Sequence, residues 1–189
     1  TNRTKFRDGN SSLGFKSRGI LAIDVMKSKI IQEDIEFIGK ELEGLHHKFD
    51  GKTILIAGGA GFLGNYLTAT IDYLNKKNLY KPCKVIVIDN FISGLHSSIE
   101  PNENIELIEA DISKPLRIQE RIDYILHAAS IASPVFYNKF RLETIDVGFL
   151  GTRNLLEIAR EKKVKSFLFF SSSEIYGNPD STHIPTKEE

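Results

Sequence analysis

Apolar residues between residues 28 and 45 recur at Ile31, Ile35, Ile38, Leu42 and Leu45. Intervals of four, three, four and three put them on one face of a helix. Glu33, Asp34, Glu36, Lys40, Glu41 and Glu43 take the other faces. The spacing is also that of a heptad, which leaves two readings: a helix packed on the main domain, or a self-association surface. The period then changes. Short, continuous, branched apolar runs at 53–57, 84–88, 105–108, 123–128 and 165–170 have the character of buried strands. Helical spacing returns at 62–77, with Leu63, Leu67, Ile71 and Leu74 toward a sheet. It returns again at 141–162, with Ile145, Phe149, Thr152, Leu155, Leu156 and Ala159 in the apolar positions. Strands alternating with helices predict right-handed crossovers and a parallel sheet covered on both faces, in the order 3-2-1-4-5.

Residues 1–27 show no such period. Arg3, Lys5, Arg7, Lys16 and Arg18 lie among Ser, Asn and Gly, which predicts a mobile basic arm, with a phosphate-gripping arm as the functional alternative. The expected organisation is this arm, an N-terminal amphipathic helix and linker over 28–51, and an α/β domain over 52–189. Lys plus Arg equals Asp plus Glu, 25 each among 189 residues, so no overall field favours nucleic acid or an anionic membrane. The apolar run at 19–26 contains Asp24 and is too short for a membrane span. One cysteine, Cys83, excludes an intramolecular disulfide and a cysteine-rich metal site. A soluble, cytoplasmic protein without a metal is the expectation. His46 and His47 read as solvated helix-end residues, because adjacent helical positions diverge by about 100°.

The most informative stretch is TILIAGGAGFLG, from Thr53 to Gly64. An apolar strand stops at Gly58, Gly59 and Gly61, and a helix resumes through Gly64. Backbone N–H groups at such a turn can meet a diphosphate where no side chain intervenes, and the last glycine lets the helix approach the strand. The next strand ends in Asp89, an acid placed to accept from the two hydroxyls of an adenosine ribose. Strand, glycines, helix, strand and acid in this order predict a Rossmann-type nucleotide-binding fold.

Further motifs accompany it: DNF at Asp89 to Phe91, AD at Ala110 to Asp111, HAAS at His127 to Ser130, GTRNLLE at Gly151 to Glu157, and SSSEIYG at Ser171 to Gly177. With GGAGFLG they resemble the extended short-chain dehydrogenase/reductase family, specifically its nucleotide-sugar epimerases, dehydratases and decarboxylases. The runs HAASIASPVFY and SSSEIYGNP look most like the branch that decarboxylates UDP-glucuronate. The resemblance implies a tightly held NAD, a nucleotide-sugar substrate, a 4-keto-sugar intermediate and a homodimer built through the 141–162 helix. It assigns cofactor binding to Gly58, Gly61, Phe62, Leu63, Gly64, Asp89, Asn90, Asp111, Ile112, Ala128, Ala129, Ser130 and Ser171. Ser172 and Glu174 take the catalytic positions, and Ser133, Pro134 and Tyr137 match a loop that meets the sugar. His127 has a core reading beside the functional one.

Two departures stand out. Gly148 occupies a position where the family usually has asparagine. The family's Tyr-x-x-x-Lys does not follow SSSEIYG within these residues; Tyr73 and Lys77 have that spacing but fall on the helix after the glycine turn. The expectation is therefore the NAD-binding part of such an enzyme, truncated before its substrate lobe and inactive alone. A 4-epimerase, a 4,6-dehydratase and a non-catalytic nucleotide-binding module remain the alternatives.

Overall fold

The structure, a computed structural model, describes residues 28–93 and 99–188. The basic-arm reading of 1–27 lies outside the described residues. The described elements are α1 (Lys29–Glu41), β1 (Thr53–Ala57), α2 (Phe62–Lys77), β2 (Lys84–Asp89), β3 (Ile105–Glu109), β4 (Tyr124–His127), α3 (Pro134–Lys139), α4 (Arg141–Asp146), α5 (Thr152–Lys162) and β5 (Ser166–Phe169). The five strands form one parallel sheet in the order β3-β2-β1-β4-β5, as the alternation predicts.

Side chains alternate across β1, and this divides the core in two. Ile54 and Ile56 join Ile71 and Leu74 of α2 on one face. Leu55 and Ala57 join Leu155 and Ile158 of α5 on the other. Ile86 and Ile88 continue the second layer, Val85 and Val87 the first. At the strand origins, buried Asp123 ties three elements together. Its Oδ2 accepts from Thr53 N (3.2 Å), and its Oδ1 meets Arg121 Nη2 (2.9 Å) and Lys165 Nζ (3.8 Å). Cys83 is buried in the α2-side layer, and burial pushes its thiol up to about 12.

Helix α1 starts where Ser28 Oγ accepts from Ile31 N (3.4 Å), a side-chain N-cap. It packs on α2 through Ile31 and Ile35. Gly39 sits over the ring of Tyr73, where a Cβ would come within 2.5 Å of Cε1. Tyr66 Oη also donates to Asp34 Oδ2 (2.9 Å), and that bond raises the Tyr66 pKa. The heptad-like stripe is thus largely spent on this packing, although Leu45 at its end is exposed. His47 is solvated as expected, whereas His46 Nδ1 is enclosed without a hydrogen-bond partner.

Three helical expectations are corrected. Leu63 is 48% exposed, because the close approach of Gly64 to the glycine turn directs the sheet-facing side of α2 through Gly64, Thr68 and Ile71. The 141–162 helix is not uniform: a π-helical turn, Val147–Gly151, separates α4 from α5. The turn shifts the buried side to Gly151, Leu155 and Ile158, leaving Ile145 and Phe149 64% and 68% exposed. Finally, the 133–137 loop is a short helix, α3, with Pro134 in its first turn, where a missing N–H costs nothing.

Candidate functional site

The glycine turn is held from both sides by backbone. Gly58 N donates to Ile88 O (2.8 Å) and Ala128 N donates to Ala57 O (2.8 Å), so the ends of β2 and β4 flank it. Gly58 has φ +76°, and a Cβ there would lie 2.4 Å from Ala129 Cα. At Gly64 a Cβ would lie 2.3 Å from Gly58 O and 2.4 Å from Gly59 Cα, so α2 approaches the turn backbone to backbone. Gly61 differs. A Cβ there meets only Gly58 O, at 3.2 Å, and otherwise open space. The first N–H groups of α2 therefore face a cradle that a side chain at Gly61 would enter, a geometry suited to a diphosphate.

Asp89, at the end of β2, spans the cradle. Its Oδ2 accepts from Ala60 N (3.0 Å) and its Oδ1 from Phe91 N (2.8 Å). Each oxygen retains a lone pair for a ribose hydroxyl. Asn90 Oδ1 accepts from Ile92 N (3.1 Å), and Asp111 Oδ1 accepts from Ser113 N (2.9 Å), so the exits of β2 and β3 are similarly braced.

One cleft collects Gly58, Gly61, Asp89, Asn90, Asp111 and Ile112 with Ala128, Ala129 and Ser130. These residues come from the ends of β1, β2, β3 and β4, where a doubly wound sheet binds its ligands. Phe62 and Leu63 stand exposed at the start of α2, and Gly64 is buried behind the turn; none of the three lines the cleft. Ser171, Ser172 and Glu174 lie beyond β5, exposed and outside it. There Ser172 Oγ accepts from Glu174 N (3.2 Å), capping the short turn Ser173–Tyr176 and leaving the hydroxyl proton free to donate. Ser133, Pro134 and Tyr137 lie at the start of α3, also outside the cleft.

The cleft also contains Ala60 and Ile131, which lie within the motifs without an assigned role, and residues outside any motif, Ile92, Ser93, Glu143 and Val147 among them. Glu143 and Val147 come from the segment carrying the π-helical turn, whose facing cannot be read from a regular helical period. The pair of glycines at 148 and 151 was the available signal. Gly151 has no room for a side chain, since its Cβ would be 2.7 Å from Ile112 Cδ1, whereas Gly148 faces open space.

His127 is 1% exposed, in T-shaped ring contacts with Phe169 (centroids 5.1 Å apart) and Phe167 (6.3 Å). Thr152 Oγ1 donates its one proton to Gly148 O (2.7 Å), so the 2.9 Å contact with His127 Nε2 has the imidazole N–H as donor. Burial lowers the His127 pKa, and Nδ1 has no hydrogen-bond partner. His127 is a core residue that braces the π-helical turn, as its core reading holds. Tyr73 packs on Gly39, and Lys84, four residues beyond exposed Tyr80, opens β2 at the end of the sheet opposite the cleft. Neither Tyr-x-x-x-Lys spacing reaches the cleft. Among the described residues no cluster of metal-ligating side chains forms, and no helix is long and apolar enough to cross a membrane.

Residues 54–189 match the NAD dependent epimerase/dehydratase family. The chain is 36% identical over 164 residues to UDP-glucuronic acid decarboxylase 1 of Danio rerio, covering 84% of this chain and 37% of the relative. It is 39% identical over 131 residues to UDP-glucuronic acid decarboxylase 5 of Arabidopsis thaliana, covering 67% of this chain and 35% of the relative. Among solved structures, a UDP-galactose 4-epimerase superposes with a TM-score of 0.58 at 30% identity, covering 72% of this chain and 43% of that one. The chain thus spans little more than a third of the length of the curated relatives it matches.

Proposed function

This chain belongs to the NAD-dependent epimerase/dehydratase family, and on that premise we propose that it is the NAD-binding part of a nucleotide-sugar-modifying enzyme that decarboxylates UDP-glucuronate. The observation that carries the reading is the cleft itself. The glycine cradle, the two-sided anchoring of Asp89 and the exits of β3 and β4 fit a dinucleotide in one piece. Gly58, Gly61 and the first turn of α2 would hold the diphosphate, Asp89 and Asn90 the adenosine ribose, and Asp111 with Ile112 the adenine. Ala128, Ala129 and Ser130 would line the nicotinamide side, with Ser171 beyond them. When bound, NAD supplies reversible oxidation at C4 of the sugar. Ser172 then holds the reacting hydroxyl through its free proton. Glu174 moves a second proton or steers the departing carboxylate. Ser133, Pro134 and Tyr137 contact the sugar.

The decarboxylase reading over the epimerase one rests on Glu174 beside Ser172 and on the two decarboxylase relatives. The likeness to a 4-epimerase structure keeps that reading second. Incubating an active form that carries the family's Tyr-x-x-x-Lys with UDP-glucuronate, UDP-glucose and dTDP-glucose separates them. Release of CO₂ from UDP-glucuronate is expected. Interconversion of UDP-glucose and UDP-galactose without CO₂ would replace the decarboxylase by an epimerase. The 189 residues alone should bind NAD without turnover, and a non-catalytic module is indicated only if no natural form carries that Tyr and Lys. Cytoplasmic location and homodimerisation complete the proposal. Dimerisation is supported by the exposed apolar side chains Leu142, Ile145, Phe149 and Leu156.

A further inference from the structure

The cleft contains three carboxylates, Asp89, Asp111 and Glu143, and no lysine or arginine among its lining residues. Asp89 and Asp111 stand at strand ends. Glu143 arrives from a different layer, on α4, one helical turn before Val147. Val147 shows which end of the cleft this helix faces. A Cβ at Gly151 would lie 2.7 Å from Ile112 Cδ1 and 3.7 Å from Val147 Cγ2, so Ile112 and Val147 meet around the same point. Ile112 leaves β3 beside Asp111, and Asn154 Nδ2 donates to Ile112 O (2.8 Å) and Lys114 O (3.0 Å), fastening the helix to that exit. The π-helical turn and its His127–Thr152–Gly148 hydrogen-bond chain fix the approach.

We propose that Glu143 is a specificity-determining residue for the base of the dinucleotide, accepting a hydrogen bond from the exocyclic amino group of adenine. The inference rests on the cofactor reading above. An amino group has two protons, and Asp111 from the sheet and Glu143 from α4 both line the cleft, so each takes one. A base with a carbonyl in place of the amino group presents a lone pair to both carboxylates and is rejected. A carboxylate brought near the diphosphate would instead weaken binding, and this opposite sign makes the proposal testable.

The experiment is calorimetric titration of the 189-residue chain with NAD and with nicotinamide hypoxanthine dinucleotide, for wild type, Glu143→Ala and Glu143→Gln. Glu143 is exposed, so neither substitution disturbs a packed core. Glu143→Ala should weaken NAD binding about tenfold, the loss of one hydrogen bond to a charged acceptor. The preference for NAD over the hypoxanthine analogue should shrink by at least that factor, because the repulsion of the analogue's carbonyl is relieved as well. Glu143→Gln should hold NAD within a few-fold of wild type yet bind the analogue better, because its amide can donate to the carbonyl. An unchanged preference in Glu143→Ala, or tighter NAD binding, overturns the proposal while leaving the cofactor site intact. Failure of wild type to bind either dinucleotide overturns both.

Discussion

Replacing Gly58 and Gly61 separately by alanine divides folding from binding at one turn. At Gly58 the backbone has φ +76°, where an L side chain costs roughly 1–2 kcal/mol. The added Cβ also falls 2.4 Å from Ala129 Cα and 2.5 Å from Ala129 N, which are backbone and cannot rotate away. Forcing such a contact costs about 1–3 kcal/mol through shifts of β4. The sum, about 2–5 kcal/mol, lowers the Tm by roughly 4–20 °C for a domain of this size. At Gly61 the φ is −72°, and the single close neighbour is Gly58 O at 3.2 Å. Gly61→Ala should therefore change stability by less than about 1 kcal/mol, a surface-like effect. Its methyl nevertheless enters the cradle, and NAD affinity should fall at least tenfold. Thermal unfolding followed by circular dichroism and calorimetric NAD titration give both readouts. A Gly58→Ala protein as stable as wild type, or a Gly61→Ala protein that binds NAD normally, would refute the geometry of the turn.

Asp123→Ala should destabilise by about 2 kcal/mol, chiefly through the lost bond to Thr53 N, because Arg121 and Lys165 are solvent-exposed and their charge is screened; urea denaturation measures it, and a change within error would dismiss the clasp. The lowered His127 pKa means that the unfolded chain gains a proton the folded one resists. Its contribution is fully present above the ordinary value of 6.5 and is lost as pH falls toward the folded value, at up to about 1.4 kcal/mol per pH unit. His127→Gln should flatten this limb of a stability–pH curve, and an unaltered slope would assign it to other groups. Asp89 repels a 2′-phosphate and no Lys or Arg occurs in Asn90 to Ser93, so NAD should bind more tightly than NADP; equal binding would show that Asp89 does not face the ribose. In an active form, Glu174→Ala should reduce turnover far more than NAD affinity, which parallel kinetics and titration would check.

Strand positions were legible in the sequence because buried parallel strands are continuous apolar runs, and the sheet order followed from alternation. The glycine turn was legible for a related reason: only residues lacking a Cβ fit where Gly64 meets Gly58 O. Helix facing was less readable. Leu63 fits the 3.6 period, but the contact at Gly64 decides which side of α2 meets the sheet. Along 141–162 the π-helical turn breaks the regular period, so Ile145 and Phe149 face outward and Glu143 lines the cleft. The Ser172–Glu174 pair was found by motif alone, and its local hydrogen bond does not by itself connect it to the cleft.

The place of β1 in the sheet has a consequence during synthesis. Thr53 pairs with Lys84 of β2, but the other edge of β1 waits for β4, where Ile54 meets Tyr124. At about 5–20 residues per second, a ribosome takes roughly 2–7 s to make the 34 residues from Asn90 to Asp123 that separate β2 from β4. Through that interval a hairpin-free apolar strand, Ile54, Leu55, Ile56 and Ala57, has one ladder complete and one bare. The nascent chain is most adhesive then, and ribosome-associated chaperones should bind most strongly to nascent chains whose last emerged residue lies between β2 and β4.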